Sequence, residues 1–114
     1  MARRHKRRAR EPVPTFDYTD AEGNVLTLRG ELSSATIRKL RGPQGGAAAS
    51  TEDEWHRRSE LLFERLAVRW EIAGLPLDDQ KMLLGRYRIA DSATQDWVRR
   101  TITEHLERHI PELA

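Results

Sequence analysis

Two histidines stand one helical turn apart near the end of the chain, in His105-Leu106-Glu107-Arg108-His109, with Glu104 beside them. Histidines at i and i+4 on one helix face can share a zinc ion. A zinc protease needs the order His-Glu-x-x-His, in which the general base directly follows the first ligand. Here the glutamate comes one position late and no third ligand is evident, so the pair reads as a solvated helix face. Acid pairs occur at Asp17/Asp20, Glu52–Glu54 and Asp78/Asp79. General acid–base work needs two carboxyls converging from different elements. These pairs sit instead at a turn and at helix starts, where acids complement the helix dipole. The chain has no Gly-x-Ser-x-Gly, no P-loop and no Gly-x-Gly-x-x-Gly. The run Gly42-Pro43-Gln44-Gly45-Gly46 lacks the Lys-Ser/Thr that a phosphate loop requires. With no cysteine there is no disulfide, thiolate ligand or thiol nucleophile. The expectation is a non-enzymatic chain with no metal and no cofactor.

The sharpest polar feature is an arm. Arg3, Arg4, Lys6, Arg7, Arg8 and Arg10 are candidate phosphate contacts whose affinity would fall with salt. No aromatic residues interleave with them, so base stacking is not indicated. The net charge of +2 hides an asymmetry: outside residues 1–11 the chain holds 14 basic and 17 acidic residues. The body is therefore mildly acidic, and the basic character belongs to the arm. A helix-turn-helix reading of the last two helices would aim Gln95, Arg99, Arg100 and Thr103 at a groove. Against it, Asp96 and Glu104 share that helix, and the turn Ala90-Asp91-Ser92 lacks glycine. Core packing is the default for Trp55, Trp70 and Trp97. Trp55, next to a linker, is the one most available to a partner, since exposed Trp and Arg are typical interface anchors.

These residues need elements to position them, and 114 residues suit one domain plus tails. Residues 1–14 lack an apolar period and end in Pro12-Val13-Pro14, as a disordered basic arm does. Thr15 to Leu28 alternates around Asp20-Ala21-Glu22-Gly23-Asn24, which predicts a β-hairpin. A short helix follows to residue 41, capped by Ser33 or Ser34, with Ile37 and Leu40 inward. Residues 42–50 read as a flexible linker, with residues 51–114 as a helical body. Within it, Trp55, Leu62, Phe63, Leu66, Trp70 and Ala73 predict one long helix from about 52 to 73, capped by Ser50 or Thr51 with Glu54. A second helix, about 79–90, has Asp78 as cap and a Leu77–Met82 staple; Gly85 implies a close helix crossing. A third runs from about 93 to 109 with a Ser92–Gln95 capping box. The predicted class is mainly α: hairpin, short helix, linker and three-helix body. A lone hairpin is marginal and the apolar stripe of the long helix is over-wide, so both favour a homo-oligomer. No run approaches a membrane span, and the basic start leads into no apolar stretch of a secretory signal, so a cytoplasmic chain is expected.

Residues Phe16-Asp-Tyr-Thr-Asp-Ala-Glu-Gly23-Asn-Val-Leu-Thr-Leu28, followed by Leu32-Ser-Ser-Ala-Thr-Ile37-Arg38-Lys39, resemble the opening of phage tail assembly chaperones of actinobacterial phages and prophages. In that family a hairpin around an acidic-Gly turn leads into a helix with an Arg-Lys pair and then a helical body. The resemblance covers residues 15–41 in pattern and the rest in architecture; the basic arm is no part of it. It implies a role in the host cytoplasm during virion assembly, binding the tape measure protein and keeping it soluble until tail protein polymerises around it. Under that reading Trp55, Leu62, Phe63 and Leu66 are the candidate partner contacts. The rival reading is a small nucleic-acid-binding protein using the arm and the C-terminal helix pair.

Overall fold

The computed structural model describes residues 13–42 and 51–114. The alternating segment Thr15–Thr19 forms strand β1, and Val25–Arg29 forms β2. Asp20 makes the turn between them: its Oδ1 accepts from the backbone N–H groups of Glu22 and Asn24. Gly23 takes a φ of 87°, where a residue without Cβ fits at no steric cost. Phe16 faces Leu28 and Tyr18 faces Leu26 across the antiparallel pair, so these four share one face of the ribbon. Beyond the pair, Gly30 donates to the Pro14 carbonyl, and a Cβ at Gly30 would lie 2.5 Å from the Phe16 ring. Helix α1 (Ser34–Arg41) is capped by Ser33, whose side chain accepts from the Thr36 N–H.

Helix α2 spans Thr51–Leu66, and the chain then passes with no connecting residue into strand β3 (Ala67–Ile72), turns, and returns as β4 (Leu75–Leu77). This overturns the predicted mainly α class. The chain is α+β, with a four-stranded antiparallel sheet in the order β1-β2-β3-β4. The expected helix from 52 to 73 stops at Leu66 because Val68-Arg69-Trp70-Glu71-Ile72 alternates apolar and charged residues, which suits a half-buried strand better than a helix. Trp70 faces Leu26 and Glu71 faces Val25 on β2. The register slips once: Ala67 faces Leu28 and Arg69 faces Thr27, so Val68 is the extra residue of a β-bulge. The β3–β4 loop is Ala73-Gly74 with φ of 52° and 79°, the two positive values of a type I′ hairpin turn. Asn24 ties the two hairpins together, its Oδ1 accepting from the Ala73 N–H at 3.0 Å.

Helices α3 (Gln80–Ile89) and α4 (Ser92–His109) and a 3₁₀ turn at Pro111–Leu113 complete the chain. Two of the expected caps shift by one residue. Asp79, not Asp78, accepts from the Met82 N–H, and Asp91, not Ser92, accepts from the Thr94 N–H. Hydrogen bonds from Thr94 hold the Asp91 carboxyl below the usual range. Met82 is exposed rather than stapled under Leu77. The expected caps of α2 at Ser50 or Thr51 lie outside the described side chains.

One core joins these elements. Leu26, Leu28 and Trp70 come from the sheet, Leu62, Phe63 and Leu66 from α2, Leu83 and Tyr87 from α3, and Val98, Ile102 and Leu106 from α4; all are buried. Phe63 lies at its centre, stacked on Tyr87 at 4.9 Å and edge-on to Trp70 at 5.7 Å. The opposite sheet face is polar, with Thr27 donating to Asp17 and Arg69 paired to Glu71. Both arguments for self-association from the hairpin and the stripe lose their basis here. The hairpin pairs with β3 of its own chain, and the over-wide stripe divides between α2 and β3.

Candidate functional site

Of the four expected partner contacts, three are core. Phe63 and Leu66 are fully buried and Leu62 is 7% exposed, because α2 lays that stripe on the sheet. Trp55, one of the same set, lies farther from the sheet, near the start of α2, and keeps 49% of its surface. The Arg99 guanidinium of α4 sits 4.5 Å from the centre of its ring, within cation–π range. Arg99 is held there by the Asp96 carboxylate and donates to the Tyr87 hydroxyl at 3.3 Å.

Trp55 and Arg99 stand at one side of an open groove of about 510 Å³ between α2 and α4. Its floor is Leu62, Ile102, Leu106 and Leu113, and Arg100, Thr103 and Glu104 stand at its edge. Arg58 builds one wall. Its guanidinium donates to the Leu40 carbonyl at the end of α1 and to the Leu113 carbonyl in the C-terminal turn at 3.0 Å. One side chain thereby bonds two backbone carbonyls from different elements, and fixes α1 and the C-terminus against α2. Nothing in the sequence signalled Arg58, since its two acceptors are backbone atoms far away in the chain.

The histidine pair is not a solvated face. His105 is completely buried. Its Nε2 lies 2.7 Å from the Arg29 carbonyl and its Nδ1 2.6 Å from the Tyr18 hydroxyl. A carbonyl only accepts, so Nε2 carries the proton and Nδ1 accepts from Tyr18. The ring is neutral: burial, outweighing the Arg29 hydrogen bond, and then the neighbouring His109 push its pKa down. Burial likewise raises the Tyr18 phenol. His109 is half-buried and stacks on Phe16 at 3.9 Å. The pair therefore docks α4 on the β1–β2 ribbon, and the sequence signal for it was the aromatic face of Phe16 and Tyr18.

The helix-turn-helix candidates are largely committed inside the fold. Gln95 donates to the Tyr87 and Arg88 carbonyls at the end of α3, Arg99 is clamped between Asp96 and Trp55, and Thr103 donates to the Arg99 carbonyl. Of the four, Arg100 and Thr103 are exposed. The acid pairs are engaged locally too: Asp17 accepts from Thr27, Asp20 organises its turn and Asp79 caps α3. Among the described residues no group of three potential metal ligands converges, and no helix is long and apolar enough to cross a membrane. Arg3, Arg4, Lys6, Arg7, Arg8 and Arg10 and most of the expected linker lie outside the described residues. Comparison with protein-family models, with curated proteins and with solved structures returned no match.

Proposed function

We propose that the chain is a non-enzymatic protein-binding module of the phage tail assembly chaperone kind, which holds an amphipathic helix of a tape measure protein in the host cytoplasm until the tail tube encloses it. The observation that carries this reading is the α2–α4 groove, with an apolar floor and a half-exposed tryptophan under an arginine at its edge. Such a channel suits the apolar face of a helix, whose anchors recur at i, i+3, i+4 and i+7. Tryptophan and arginine are also the residues that most often carry interface energy. The hairpin and short helix at residues 15–41, on which the family resemblance rests, support it as well.

The test is co-purification of the chain with a tape measure protein, using the full chain, a chain lacking residues 1–11, and Trp55→Ala. Trp55 is half-exposed, so its truncation leaves the fold standing. The expected result is a complex that survives the deletion and weakens about tenfold or more with Trp55→Ala. A chain that ignores the tape measure protein, and binds nucleic acid with an affinity that collapses when residues 1–11 are removed, refutes the chaperone reading and favours the nucleic-acid one.

A further inference from the structure

The two edges of the sheet differ. Ile72 and Leu75 flank the two-residue β3–β4 turn and so form a hydrogen-bonded pair, after which bonded and non-bonded pairs alternate. Pro76 then falls in the non-bonded pair with Glu71, where a backbone N–H would point to the open edge. Proline has no N–H, and Pro76 is the middle of a three-residue strand, so the β4 edge is blunted. The β1 edge is the reverse. The Gly30 N–H donates to the Pro14 carbonyl and the Asp20 N–H to the Asn24 carbonyl. Alternation between those two bonds makes Phe16 and Tyr18 the residues bonded to β2. Thr15, Asp17 and Thr19 therefore aim both N–H and C=O away from the sheet. All three are exposed, and the pairing that holds them has no bulge. Pro14 is in phase with Phe16, so its missing N–H leaves this outer row whole. No strand among the described residues takes the row up.

We propose that this edge pairs with the β1 edge of a second copy of the chain, antiparallel, about a two-fold axis at Phe16. An unpaired backbone row accepts an extended strand, and the charges on either side of β1 say whose. Arg3, Arg4, Lys6, Arg7, Arg8 and Arg10 precede the strand, and Asp20 and Glu22 follow it. Antiparallel self-pairing sets the basic flank of each copy beside the acidic turn of the other, and the two-fold does so twice. Those acids are not spent inside the fold. Asp20 accepts only from neutral donors, the N–H groups of Glu22 and Asn24 and the Asn24 amide. Among the described residues no ion pair involves Asp20 or Glu22. The axis position follows from the same row. Centred on Asp17, it would set two carboxylates face to face. Centred on Tyr18, it would use only Asp17 and Thr19 of the strand. Centred on Phe16, it matches Thr15 with Asp17 and Val13 with Thr19, a longer ladder, and brings Arg10 opposite Glu22. The two Phe16 rings then form a non-hydrogen-bonded pair, the closer of the two kinds. Because the β4 edge is blunted, pairing stops at the dimer instead of running on into a filament.

The experiment is sedimentation velocity on the full chain across a concentration series up to about 1 mM, the range in which weak pairing is visible. The wild type should move from monomer towards dimer, and added salt should weaken the pairing. Thr15→Pro removes one outward N–H at the first residue of an edge strand, where proline is tolerated. It should stay monomeric with an unchanged thermal melt at low concentration. Glu22→Lys, in the exposed turn, should weaken the dimer severalfold in the full chain and have no effect in a chain lacking residues 1–11. Amide hydrogen exchange reads the row directly. Phe16 and Tyr18 should be protected at every concentration, and Thr15, Asp17 and Thr19 only where the dimer forms. A wild type that stays monomeric throughout, a dimer that survives Thr15→Pro, or protection of the three outward amides that does not change with concentration would overturn the proposal. Neither Thr15 nor Glu22 lines the α2–α4 groove. Loss of the dimer with tape measure binding retained therefore separates this result from the fate of the chaperone reading.

Discussion

The buried imidazole of His105 should give the protein a defined acid sensitivity. In the unfolded chain a histidine titrates near about 6.5. In the folded chain burial holds His105 below that value. Between the two values the unfolded chain carries one more proton than the folded one, so acid favours unfolding. The neutral ring's contribution is present in full above about pH 6.5 and is lost as pH falls through the window below it, at no more than about 1.4 kcal/mol per pH unit for one proton. The neighbouring His109 reinforces the sign. His109 sits on the same helix at 4.9 Å, and Arg108 and Glu104 act on Tyr18 with opposite effects. Chemical denaturation at several pH values between about 7.5 and 5 measures this slope, and His105→Gln should flatten it. Tyr18→Phe leaves Nδ1 without its donor inside the core, which should cost about 1–2 kcal/mol. At this chain length that is about 4 °C in Tm for each kcal/mol. Nitrogen NMR supplies the direct check, since Nε2 should carry the proton and the ring should titrate below the ordinary histidine value. A ring that titrates at or above 6.5, or a Tyr18→Phe protein as stable as wild type, would refute the hydrogen-bond assignment.

Three further outcomes follow from particular contacts. Ala73 occupies a left-handed conformation in the β3–β4 turn, so Ala73→Asn, creating the preferred Asn-Gly pair, should stabilise by about 0.5–1 kcal/mol in a denaturant melt, and a loss of stability would show that the turn is not type I′. Gly30→Ala should cost about 1–3 kcal/mol by driving a methyl against the Phe16 ring, and Phe16→Ala in the same chain should make the second substitution almost neutral. Arg58→Met keeps the aliphatic stem and removes both carbonyl bonds; hydrogen exchange should then speed up in α1 and in residues 110–114 while the sheet stays protected, and uniform acceleration would mean that Arg58 holds no local clip.

The hairpin at residues 15–28, the helix that follows Ser33 and the last long helix were readable because each is marked locally, by alternation, a cap or a repeated apolar step. Strands β3 and β4 were not read, although their pattern was present. Phe63, Leu66, Trp70 and Ala73 continue a helical step through the same residues that alternate from Val68 to Ile72, and local periodicity cannot choose between them. The choice is made by β2, which lies far back in the chain and supplies Leu26 opposite Trp70. The turn also hid itself, because Ala-Gly lacks the asparagine or aspartate that usually announces a two-residue hairpin loop. The same displacement explains the site. Leu62, Phe63 and Leu66 read as exposed contacts for as long as no sheet was expected beneath them, and Trp55 is the one of the four that stays exposed, near the start of α2.

The seam between β2 and β3 has a consequence for how the chain folds. The sheet consists of two hairpins, each closed by a short turn within its own segment, and one antiparallel pairing that spans the whole stretch from Gly30 to Leu66. Short-range hairpins form in about 1–10 μs, whereas pairing distant segments waits on the slower search for non-local contacts. Trp70 lies on that seam and is buried to 1% exposure, while Trp55 stays half in water beside the groove. The chain thus carries its own pair of optical reporters: emission from Trp70 follows the late closing of the sheet, and emission from Trp55 reports on the groove at the surface of the finished fold.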